Sequence, residues 1–146
     1  MNPKNPELKE IIIYTDGGSR GNPGPAAIGG IIKDSQGKTI HKFGKKIGIA
    51  TNNVAEYQAL IFAATWLIKN KSKLGSLKSY HFFLDSALVV NQLNGLWKVK
   101  NSNMRQQIIC IRQLEADLRL PIKYTAISRE KNIQADTLLN QALNKQ

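Results

Sequence analysis

Apolar residues along this chain follow two different periods, and the places where the period changes mark its elements. Ile11 to Asp16 is a β-branched and aromatic run that ends in a carboxylate, and Ile28 to Asp34 is a second run of the same kind. Ser35-Gln36-Gly37-Lys38 has the composition of a hairpin turn and leads into a third predicted strand, Thr39 to Lys46. Three sequential strands with short connections predict an antiparallel meander. At Thr51-Asn52-Asn53, which can cap a helix, the period changes. From Val54 to about Lys69, Tyr57, Leu60, Ile61, Ala64, Leu67 and Ile68 recur at helical spacing, so this stretch is an amphipathic helix with Glu56 in its first turn.

The second half alternates. Tyr80 to Asp85 is again an apolar strand ending in Asp, after a lysine-containing linker. Ser86 to Leu93 reads as a short helix stopped by Asn94-Gly95. Ser102 can cap a helix to about Leu118, with Met104, Ile108, Ile111, Leu114 and Leu118 on one stripe, and Pro121 lies beyond its end. Ile122 to Ile127 is a fifth strand, Ser128 to Asn132 a polar loop, and Ile133 to Leu143 a closing helix with Leu138, Leu139, Ala142 and Leu143 as its apolar side. A meander followed by alternating helices and strands predicts an α/β fold. Its sheet is mixed and five-stranded, three antiparallel then two parallel strands, flanked by helices.

Composition changes the picture in two ways. With 146 residues, 42% hydrophobic and 21% charged, the chain fits one soluble domain over residues 11–146 behind a polar lead-in, residues 1–10. No apolar run reaches membrane-spanning length. The single Cys110 cannot pair internally and is expected as a core thiol in a reducing compartment, which makes the protein cytoplasmic. Charge is more telling. Lys plus Arg number 21 against 10 Asp plus Glu, a net charge of +11 spread along the chain, and such a surface favours a polyanion.

Against that background each acid is informative. Asp16 precedes a turn with Gly18, Gly21 and Gly24 at every third position, which is neither a P-loop nor a dinucleotide fingerprint. An ionised Asp at the end of a buried strand is either a solvated turn residue or part of a metal site. Glu56 could equally serve the dipole of its helix. If the last two strands run parallel to the first, however, Asp16 and Asp85 end at the same sheet edge, and helix starts carrying Glu56 and Asp136 can converge there. Four such carboxylates repel unless cations lie between them, and hard Mg²⁺ with oxygen ligands suits them.

Four blocks together resemble the ribonuclease H type 1 family. They are Thr15-Asp16-Gly17-Gly18-Ser19-Arg20-Gly21-Asn22-Pro23-Gly24-Pro25, then Thr51-Asn52-Asn53-Val54-Ala55-Glu56-Tyr57, then Asp85-Ser86 with Asn94 to Asn101, then Arg129 to Asp136. The resemblance spans Ile11 to Leu143 and implies a ribonuclease H-like fold. It implies that Asp16, Glu56, Asp85 and Asp136 are catalytic and bind two Mg²⁺ ions, or Mn²⁺. The implied reaction is endonucleolytic hydrolysis of the RNA strand of an RNA/DNA hybrid to 3′-hydroxyl and 5′-phosphate ends. By the same resemblance Gly18, Ser19, Asn22, Asn52 and Asn53 read the RNA strand, Thr51, Trp97 and Asn101 meet the DNA backbone, and Asn132 contacts substrate. No protein partner is implied, and a monomer is expected.

Three departures qualify the resemblance. Ala87 stands where many members carry Gln, Asn94 to Ser102 is too short for the extra helix and basic loop of some members, and Ser128 to Asn132 holds no His. Arg129 is similar to the residue that replaces that His in short-loop members, and joins the catalytic candidates. Two other readings share the fold: a hybrid-binding module without turnover, and a DNA-directed nuclease.

Overall fold

The structure, a computed structural model, describes residues 9–145. The polar lead-in therefore lies largely outside the described residues. Strands β1 (Lys9–Ser19), β2 (Gly24–Lys33), β3 (Thr39–Ala50), β4 (Leu77–Leu84) and β5 (Ile122–Ala126) form one sheet in the order β3-β2-β1-β4-β5. β1–β2 and β2–β3 pair antiparallel, while β1–β4 and β4–β5 pair parallel. Helices α1 (Asn52–Lys69), α2 (Ala87–Leu93), α3 (Ser102–Leu118) and α4 (Ile133–Asn144) cover it. Architecture and element order match the sequence-based expectation. Among the described residues no helix is long and apolar enough to cross a membrane.

The first hairpin differs from that expectation. The Gly-rich stretch is ladder, not loop: Gly17, Gly18 and Ser19 continue β1 and pair with Ile28, Ala27 and Ala26. Asp16 consequently sits inside β1, opposite Gly29. The cause is helix packing on both faces of the sheet. A Cβ on Gly17 would lie 2.1 Å from the Ala55 carbonyl of α1, whereas one on the neighbouring Gly18 would face Leu139 of α4. Successive strand residues point to opposite faces, so α1 and α4 lie on opposite sides. Gly29 and Gly44 do for α4 what Gly17 does for α1, their Cβ positions falling 2.3 Å from the Ala135 carbonyl and 2.5 Å from the Leu138 carbonyl.

The main core lies on the α1 side, where Ile11, Ile13, Ile28 and Ile32 meet Tyr57, Leu60, Leu67, Phe82, Ile111 and Leu118. A smaller cluster of Ala27, Leu139 and Ala142 packs under α4. Cys110 is half-buried rather than in the core, and its neighbour Ile109 is 58% exposed. The run Ile108-Ile109-Cys110-Ile111 lies obliquely across the helix stripe, so only Ile111 of its four residues is fully buried.

Candidate active site

Three carboxylates from distant parts of the chain meet where β1 and β4 run side by side under the start of α1. Asp16, Glu56 and Asp85 each offer an oxygen within 4.8 Å of the other two. β1 holds Asp16 in the middle of a paired strand, and Asp85 follows the last residue of β4. Glu56 belongs to the second turn of α1, which starts at Asn52 after the N-cap Thr51, whose hydroxyl accepts from Val54 N at 3.2 Å. The expectation that Glu56 stands in the first turn is therefore corrected, and a dipole role is removed with it. Its side chain is 6% exposed, and one oxygen accepts from Gly17 N at 2.9 Å. The other, Oε2, is buried without a partner.

Burial and crowding set the charge state. Burial foremost pushes Asp16 up to about 7; the neighbouring Glu56 carboxyl opposes this, while Asp85 and Asp136 add to it. Glu56 is raised well above the usual range by its burial and by Asp16. Asp85 is raised by burial, with the Asn132 hydrogen bond and the Arg129 charge pulling it back. Carboxylates in this condition, with an orphaned acceptor among them, suit a divalent cation: positive charge would replace the lost hydration and satisfy Glu56 Oε2. The donor set is all oxygen, as hard ions require.

Asp136 stands apart. It is exposed in the first turn of α4 and falls outside the group of three. Its Oδ1 accepts from Asn140 Nδ2 at 3.2 Å, yet it lies near enough to raise both Asp16 and Asp85. Arg129 is exposed in the 3-10 turn Arg129–Lys131, where its charge acts on Asp85.

Asn132, expected to contact substrate, is 1% exposed, with its side chain turned inward. Its amide donates to the Thr15 carbonyl at 2.9 Å and reaches Asp85 Oδ2 at 3.5 Å. The residue braces β1 against Asp85 at the entry to α4. Its position immediately before a helix that carries an acid was the available sequence signal. Thr15, fully buried with an unpartnered hydroxyl, is a member of this shell that the sequence did not single out.

The turn after β1 is fastened to the start of α1. Asn52 Oδ1 accepts from Ser19 N at 2.9 Å, Asn22 Oδ1 accepts from Asn52 N at 3.0 Å, and the Ser19 hydroxyl donates to the Gly21 carbonyl. Both amide oxygens are thus consumed internally, and the amide NH₂ groups of Asn22 and Asn52 remain as donors on an exposed edge. Gly18 and Asn53 are half-buried beside them. Thr51 borders a groove with Val54, Asn103 and Gln107, where the starts of α1 and α3 adjoin. Asn101, not Ser102, caps α3, accepting from Asn103 N and Met104 N. Trp97 is 50% exposed on the loop before it.

A fold of this topology with acids from β1, α1 and the end of β4 at one point defines a class, and comparison with known proteins agrees. The reverse transcriptase-like family matches residues 14–142. The RNase H1 of the archaeon Halobacterium salinarum is 36% identical, with a TM-score of 0.83 over 92% of this chain and 98% of that one. LC11-RNase H1, isolated from compost, is 42% identical with a TM-score of 0.86 over 92% and 96% of the two chains, and was solved in complex with an RNA/DNA hybrid. Among curated relatives, a bifunctional protein of Mycobacterium tuberculosis is 38% identical over 135 residues. The chain spans 35% of that relative's length, and 64% of the length of the Halobacterium ribonuclease HI, which is 37% identical. The chain belongs to the ribonuclease H family, type 1.

Proposed function

We propose that this protein is an endonuclease that hydrolyses the RNA strand of RNA/DNA hybrids, using Mg²⁺ with Mn²⁺ as a substitute, and leaves 3′-hydroxyl and 5′-phosphate ends. The observation that carries this reading is the meeting of Asp16, Glu56 and Asp85 around a buried, unpartnered Glu56 oxygen in a chain of this family. Asp16, Glu56 and Asp85 would hold the cations, with Asp136 reaching in from the rim by rotation of its side chain. When bound, a pair of divalent cations lowers the pKa of the attacking water and balances charge on the leaving 3′ oxygen.

The chain's own groups supply the rest. Asn132 keeps Asp85 in place, and Gly17 N does the same for Glu56. Arg129, exposed with its charge acting on Asp85, would attract the scissile phosphate and ease its departure. The free amide donors of Asn22 and Asn52, with Gly18, Ser19 and Asn53, suit the 2′-hydroxyls and base edges of an RNA strand in a wide minor groove. Thr51, Asn101 and Trp97 would meet the partner strand, since hydroxyl, amide and aromatic groups suit a sugar-phosphate backbone. A net charge of +11 draws the duplex in. The unpaired Cys110 fits a reducing compartment such as the cytoplasm.

A labelled RNA/DNA hybrid incubated with the protein and Mg²⁺ tests the proposal. RNA-strand cuts that vanish in Asp85→Asn are expected. Tight hybrid binding without turnover in Mg²⁺ or Mn²⁺ would make the protein a binding module instead, and preferential cutting of all-DNA duplexes would make it a DNA-directed nuclease.

A further inference from the structure

One turn of buried polar chemistry adjoins the acidic cluster without belonging to it. Tyr57 follows Glu56 in α1, is fully buried, and donates its hydroxyl to Gln92 Oε1 of α2 at 2.5 Å. Gln92 is itself 6% exposed, an expensive place for an amide unless both of its ends are used. Its Nε2 faces the Lys98 carbonyl at 3.5 Å.

The chain from Asn94 to Asn101 wraps around this amide. Gly95 N donates to the Gln92 carbonyl, and both Leu96 N and Trp97 N donate to the Asn91 carbonyl, at 3.1, 2.8 and 3.2 Å. At the far side Arg105 Nε donates to the Val99 carbonyl at 2.7 Å. At the tip of this loop Leu96 and Trp97 are 70% and 50% exposed, and exposed Lys98 and Lys100 follow them in the chain. Two large apolar side chains held in water by a tethered backbone point to a surface kept ready for a ligand.

We propose that Tyr57 is a positioning residue for substrate: by orienting the Gln92 amide it fixes the Trp97 loop relative to the helix that carries Glu56. The inference rests on the hybrid-cleaving reading, since the loop is taken to meet the DNA strand. It explains how a chain too short here for an additional helix can still present a preset grip. A loop that had to be ordered at each encounter would lose affinity, whereas the amide tether pays that entropy during folding.

The test separates positioning from packing. Tyr57→Phe removes one neutral hydrogen bond and leaves Gln92 Oε1 buried and unpaired. KM for a labelled hybrid is expected to rise about five-fold with kcat within two-fold of the parent, and thermal stability to fall. Tyr57→Phe/Gln92→Met replaces both polar partners by apolar groups. It is expected to recover melting temperature but not KM, because the Lys98 carbonyl remains untethered. Trp97→Ala should raise KM by itself, and adding Tyr57→Phe to it should raise KM no further. Recovery of KM together with stability in the double variant, a loss confined to kcat, or fully additive effects with Trp97→Ala would each overturn the proposal. If the parent protein binds the hybrid but does not cut it, the nuclease reading fails. The same pattern is then read from fluorescence anisotropy as Kd, and the positioning proposal stands or falls on that pattern alone.

Discussion

The backbone amide of Gly17 donates to Glu56 Oε1 across 2.9 Å, where α1 packs directly on β1. A side chain at residue 17 would meet the Ala55 carbonyl at 2.1 Å, so helix and strand touch backbone to backbone. The contact that packs the fold therefore also aims a carboxylate.

Gly17→Ala should cost stability and activity together. Neither the β1 ladder nor the α1 backbone can yield at low cost, so overpacking of at least about 1–3 kcal/mol is expected. Urea unfolding would measure it. Hybrid cleavage should drop more than the unfolded fraction explains, because Glu56 moves with the helix.

Metal-free protein should lose stability as pH rises from about 4 to about 7. Asp16 is raised to about 7 in the fold, with Glu56 and Asp85 raised beside it. A carboxyl whose folded pKa exceeds its unfolded value binds more protons folded than unfolded between the two. Its contribution is complete below the unfolded pKa and is lost as pH climbs through the folded one. A change on the order of a few kcal/mol is expected. Melting scans in EDTA should show the decline, and Mg²⁺ should reverse it near neutrality while doing little at pH 4. A melting temperature in EDTA that is flat across this interval would contradict it.

Asn132→Ala should destabilise by about 1–3 kcal/mol, the cost of leaving the Thr15 carbonyl buried and unpaired. Asn132→Asp should be worse for catalysis, since a further carboxylate would face Asp85 across the present 3.5 Å contact. Chemical unfolding and single-turnover cleavage would separate the two effects.

Ala87 is exposed at the first residue of α2, two positions beyond Asp85. Ala87→Gln should add an amide contact to a bound hybrid and lower KM by about two- to five-fold, one modest hydrogen bond, with kcat unchanged. Steady-state cleavage assays would decide.

Element order and strand directions were legible because each period change is clean and the parallel crossovers admit one hand. The acids stood out as few and terminal in a basic chain. Less legible was anything that depended on close approach. Gly17, Gly18 and Ser19 read as a turn because glycine is the usual turn residue, yet here its missing side chain admits two helices and β1 runs on. The resemblance offered Asn132 to substrate, and only the fold shows its side chain turned inward to the Thr15 carbonyl. The Tyr57–Gln92 bond joins two residues 35 positions apart, and each of them fits its own helix equally well without the other.

The seam formed by Gly29 and Gly44 against Ala135 and Leu138 limits how this protein can change. With backbone resting on backbone, α4 has no slack to slide, so Asp136 can alter its reach only through its own torsions. Directed evolution of this chain would find those glycines hard to replace. Useful diversity would have to come from the loops at the rim, where new specificity can be acquired without disturbing the spacing between sheet and helix.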